Sequence, residues 1–116
     1  MRESTLQLIN IAMIMTLVLT LPVHIAMQAF LGVRSYDQSL TYGTVTARYA
    51  SVITVTLLTV LLAAALFHGL YGVRKILLEF KSGPSWDRLV SLGTLALGLV
   101  ILGWGLRTIV VMGWGL

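Results

Sequence analysis

The chain has no cysteine. A disulfide framework and thiolate chemistry, nucleophilic or metal-binding, are therefore excluded. Charge is scarce: Asp, Glu, Lys and Arg make up 10% of the 116 residues, against roughly a quarter in a soluble domain. Apolar side chains take their place, at 58% of the sequence, with a mean hydropathy of +0.95. A chain this short cannot hide so much apolar surface in a core of its own. A soluble monomer, a disordered tail and a nucleic-acid module are excluded. An integral membrane protein of few spans remains.

The few charges punctuate the sequence. No Asp, Glu, Lys or Arg occurs from Ser4 to Val33, from Tyr49 to Val73, or from Leu89 to Leu106. Each stretch approaches or exceeds the roughly 18 residues that cross a bilayer. The reading is an all-α membrane protein with three transmembrane helices, over about 5–31, 46–80 and 85–114, forming one anchor domain. Residues 32–45 read as a polar loop with room for short structure. Lys81-Ser82-Gly83-Pro84 reads as a tight turn, with Gly ending one helix and Pro starting the next.

The net charge of +4 bears on topology and on anionic headgroups, not on nucleic acid. Arg2, Arg74, Lys75, Lys81 and Arg88 fall on one side. Arg34, Arg48 and Arg107 fall on the other. By the positive-inside rule the N-terminus is inside and the C-terminus outside. The short segment before the first helix leads to the expectation of a prokaryotic cytoplasmic (inner) membrane.

Two ionisable groups lie within the spans, His24 in the first helix and His68 in the second. Intramembrane ionisable residues are functional candidates because desolvating them is costly. The alternative is a neutral ring bonded to a nearby carbonyl or Thr. Residues four, seven and eleven apart share a helix face, so His68, Gly72, Lys75 and Glu79 form one stripe. Ala64, Ala65 and Gly69 keep the surface around His68 low. Small residues there admit a neighbouring helix. They equally leave room for a flat macrocycle whose iron the imidazole ligates. A bis-histidine iron needs a second ring, which a partner chain would supply. The two His differ in depth, so two haems are the natural arrangement if both are ligands. Arg74 and Lys75 either snorkel or pair with haem propionates. Glu79 could exchange protons with a quinone or pair with Lys75 at i, i+4. Ser91, Gly98 and Gly105, at heptad spacing in the third helix, read as a packing face.

His68-Gly-Leu-Tyr-Gly72-Val-Arg74-Lys-Ile-Leu-Leu-Glu79-Phe80 resembles the second helix of the membrane anchor (cytochrome b) subunits of succinate:quinone oxidoreductases and fumarate reductases. His24 followed by His68-x-x-Tyr71-Gly72-Val73 is similar to the order in single-chain anchors with two haems. The resemblance covers about 60 residues of helices one and two. It implies half of a haem-binding helix bundle, with His68 and His24 as axial ligands of haem b. One or two haems would be shared with a companion anchor subunit. Gly72, Arg74 and Lys75 would border the cofactor, and Glu79 and Phe80 the quinone site. The family's usual pair is Asp-Tyr or Asp-Phe, so no Tyr hydroxyl is carried over at Phe80. A flavoprotein, an iron–sulfur subunit, a second membrane anchor and the lipid bilayer are the implied partners. Two other readings account for the spans: a haem-free structural or assembly subunit, and a haem b anchor of a different dehydrogenase.

Overall fold

The computed structural model describes residues 2–29 and 41–114. Among the described residues four helices follow one another: α1 Glu3–Ala29, α2 Tyr42–Tyr49, α3 Val52–Phe80 and α4 Pro84–Trp114. There is no strand among the described residues. Helices α1, α3 and α4 are each long and apolar enough to cross a membrane. Their rises are about 40, 44 and 46 Å, beyond the ~30 Å hydrocarbon core and near the 40–45 Å that includes headgroups. The chain is a multi-pass, all-α membrane protein.

The expected second helix, 46–80, is interrupted. Ser51 is extended, with φ −80° and ψ 131°. The Ala50 amide still donates to Thr46 O at 3.1 Å, and the Val55 amide opens the next helix on Ser51 O at 3.0 Å. The break falls before Val52-Ile53-Thr54-Val55-Thr56, a β-branched run that favours helix less than the Leu and Ala beyond it. Serine suits the N-cap position, although its hydroxyl makes no capping bond here. The upstream piece, α2, packs across the far ends of α3 and α4. Most of the expected 32–45 loop lies outside the described residues.

The α3–α4 turn follows the sequence closely. Gly83 has φ +127°, a conformation that L side chains rarely adopt. Pro84 begins α4, where its missing N–H leaves no bond unmade. The Asp87 amide donates to Gly83 O at 3.0 Å.

Helix α3 is the middle element. It packs on α1 along one side and on α4 along another, while α1 and α4 do not pack on each other among the described residues. Both pairs are antiparallel. Glu3 meets Arg74 and Asn10 meets His68, which sets the α1–α3 register. Trp86 meets Leu77, and Ser91 meets Arg74, at the start of α4. Deeper, Gly98 faces Leu70 and Gly105 faces Leu62. A Cβ at Gly98 would stand 2.8 Å from Leu70 Cδ1, and one at Gly105 would stand 2.6 Å from Leu62 Cδ2. The expected packing face of α4 is therefore real, and its glycines admit leucines of α3.

Few residues are buried: Thr54, Ala64 and Tyr71 on α3, with Val90 and Ile109 on α4. Leu8, Leu19, Leu99 and Val100 are among the many exposed apolar residues. In a bilayer this surface faces acyl chains, which are as apolar as Leu. Five threonine hydroxyls of the long helices are satisfied within their own helices. Thr16, Thr20, Thr59, Thr94 and Thr108 each donate to the carbonyl four residues earlier, at 2.8–3.0 Å. No water is needed to hold them at membrane depth.

Candidate functional site

His68 lies on an exposed part of α3. Its neighbours leave the space around it open: nothing stands within 4 Å of a Cβ placed at Gly69 or Gly72. The ring is anchored on one side only. Asn10 Oδ1, on α1, lies 3.0 Å from His68 Nδ1. In the neutral tautomer in which Nδ1–H donates to this amide oxygen, Nε2 keeps its lone pair. A metal-ligating imidazole is typically held this way, with the far N–H given to a second group that fixes tautomer and orientation. Asn10 was not among the residues singled out from the sequence. It is a polar residue in a long apolar run, and its partner is distant in the chain.

Lys75 and Glu79 share the exposed side of α3 with His68. Lys75 Nζ sits 5.3 Å from the centre of the Tyr71 ring, a cation–π contact, and forms no ion pair with Glu79. Tyr71 in turn stacks on Phe67, with ring centres 6.1 Å apart. Glu79 and Phe80 end α3, both exposed.

Arg74 takes a different direction. It is six residues beyond His68, about 120° around the helix. Its Nη2 pairs with Glu3 Oε1 at 2.6 Å, and its Nε donates to Ser91 Oγ at 3.2 Å. One guanidinium thus ties together the beginnings of α1 and α4 and the end of α3. Its Nη1 is buried and has no partner. Arg74, Tyr71 and Ser91 line a cavity of about 480 Å3 between the three long helices, and His68 does not line it.

His24 is half-buried near the end of α1. Asn10 marks the level of His68, and His24 lies about 21 Å farther along the helix axis. Two rings so far apart along the membrane normal cannot ligate one iron. Among the described residues, no group of three or more His, Cys, Asp or Glu gathers to hold a metal ion. A haem needs no such cage, because its porphyrin supplies the equatorial nitrogens and the protein supplies axial ligands. The exposed His68 ring, its bare Nε2 and the open glycine surface fit that role.

Compared with family models, with curated proteins and with solved structures, the chain finds no match.

Proposed function

We propose that the chain is a membrane anchor subunit of a succinate:quinone oxidoreductase or fumarate reductase. It gives His68 to the iron of a haem b and contributes Glu79 and Phe80 to a quinone site. The observation that carries this reading is the His68–Asn10 hydrogen bond, which leaves Nε2 free on an open helix face. The second axial ring comes from a companion anchor subunit, for which that same face is available. A haem held there would relay single electrons between an iron–sulfur subunit and membrane quinone.

The chain's own groups do the rest. Asn10 orients the imidazole. Gly69 and Gly72 leave the macrocycle room. Lys75 is the cation on the His68 stripe suited to propionates, since Arg74 is engaged with Glu3 and Ser91. Glu79, at the membrane boundary, is placed to pass protons to a reduced quinone. His24, at the opposite depth, is the candidate ligand of a second haem. The end of the bundle bearing Arg2, Arg74, Lys75, Lys81 and Arg88 faces inside, where the flavoprotein and iron–sulfur subunits dock. That places the N-terminus inside and the C-terminus outside, in a cytoplasmic membrane.

The deciding experiment measures haem b per complex by pyridine haemochrome and by a reduced-minus-oxidised spectrum. His68→Ala is expected to remove one haem signal while the helices still assemble. Unchanged haem content in that variant would overturn the ligand assignment. If two haems are present, His24→Ala removes about half the total; if it removes none, His24 is structural. A complex without haem would favour a structural or assembly subunit.

A further inference from the structure

Helix α1 is the least constrained of the long helices. Among the described residues it packs on α3 alone, and none of its residues is buried. Its apolar side chains meet acyl chains as readily as they meet α3, so burial favours no particular register. Directional contacts supply what burial does not. Among the described residues, two polar side-chain contacts join α1 to α3. Glu3 Oε1 meets Arg74 Nη2 at 2.6 Å, and Asn10 Oδ1 meets His68 Nδ1 at 3.0 Å.

Their geometry makes them one clamp. Glu3 and Asn10 are about two turns apart, so they share a face of α1 with about 10.5 Å of rise between them. Arg74 and His68 span about 9 Å of rise and stand about 120° apart around α3. Buried Tyr71 and Ala64 fall on the arc between them. Helix α1 is thus gripped from both sides of that arc. Either contact alone would let the helix roll; the two together fix rotation and register. The Arg74 end is the fixed end. Its side chain is mostly buried, and its Nε donates to Ser91 Oγ of α4 at 3.2 Å. The His68 end is the loose one, exposed and bordered by open glycines.

We propose that Glu3 is a positioning residue for His68. By fastening the first turn of α1 to Arg74, it seats Asn10 against His68 Nδ1. The proton of the neutral ring is thereby kept on Nδ1 and the lone pair on Nε2. The consequence for iron rests on the haem reading above; the place of the proton does not.

The test reads the proton directly. The chain has two histidines, so 15N-histidine labelling of the full-length chain in detergent micelles gives two rings, assigned with His24→Ala. At about pH 8.5, two units above the ordinary imidazole pKa of ~6.5, the 15N shifts report which nitrogen bears the proton. The His68 ring is expected mainly in the Nδ1–H form. Glu3→Gln, at an exposed site, should lower its ratio of Nδ1–H to Nε2–H about fivefold, although Asn10 is intact. Asn10→Leu should lower the ratio as much, and the double variant no further. Asp87→Asn removes a carboxylate at the same end, on a helix that does not pack on α1, and should leave the ratio unchanged. If Glu3→Gln does not fold, Arg74→Lys decides: it keeps the charge but lacks the fork that holds Glu3 and Ser91 together, so the ratio should fall. A wild-type ring in the Nε2–H form, an unchanged ratio in Glu3→Gln or its substitute, a full effect of Glu3→Gln in the Asn10→Leu background, or an equal effect of Asp87→Asn would each overturn the proposal. In the assembled complex, Glu3→Gln should raise the haem midpoint potential in the same direction as Asn10→Leu. An unmoved potential would overturn the link to iron. A complex without haem would refute the haem reading and leave the tautomer result standing.

Discussion

At the scale of single residues, the contact between Asn10 and His68 makes the sharpest prediction. If His68 ligates haem iron as proposed, a hydrogen bond donated from Nδ1–H to Asn10 would make the imidazole a more electron-rich ligand, and such a ligand favours oxidised iron. Asn10→Leu should therefore raise the haem midpoint potential and weaken haem retention by about 10- to 100-fold. A redox titration of the purified complex checks the first effect, and haem loss on dilution checks the second. Asn10→Asp keeps an acceptor and should restore retention. His68 was legible in the sequence because a basic ring among glycines stands out in an apolar run. Asn10 was not, because only the α1–α3 register brings it to His68. The same limit hid the surroundings of Arg74. Its charge and position were plain, but Glu3 reads as a helix-start residue and Ser91 as a small packing residue. Neither announces that it holds a guanidinium.

At the scale of the helices, the close approach of α4 to α3 can be tested by filling it. A methyl at Gly105 would stand 2.6 Å from Leu62 Cδ2 and 3.3 Å from Cδ1, so the end of that side chain must rotate away or the helices must part. Gly105→Ala should cost about 1–3 kcal/mol of stability, read from thermal unfolding in detergent. Adding Leu62→Ala should recover much of the loss, since it removes the obstructing atoms. The heptad spacing of Ser91, Gly98 and Gly105 exposed this seam to sequence reasoning, because small residues at one helical face have few other uses. The spans themselves were legible from the spacing of charges. The break at Ala50–Ser51 was not. Hydropathy measures transfer out of water and runs on through Val52 and Ile53, whereas the break depends on backbone preference and on the packing of α2 against α4. The Gly83 turn was clear because its glycine and proline act locally.

At the scale of the whole molecule, the absence of cysteine makes topology measurable without background labelling. Ser82→Cys and Gly43→Cys each place one thiol at an exposed site, at opposite ends of the bundle. With the basic end inside, Ser82→Cys should resist a membrane-impermeant maleimide applied to intact cells, and Gly43→Cys should react. The reverse labelling would invert the orientation. The ion pair that fastens α1 to α3 also sets a timetable for synthesis. Glu3 leaves the ribosome 71 residues before Arg74, a delay of roughly 4–14 s at ordinary elongation rates. Once α1 is complete at Ala29, it waits without its cation until Arg74 is made. Glu3 can wait because it occupies the first turn, where the headgroup layer and the positive end of the helix dipole both tolerate a carboxylate. Arg74 is made before α4 begins at Pro84, so α1 and α3 can fasten to each other before the last helix arrives to bring Ser91 to the same guanidinium.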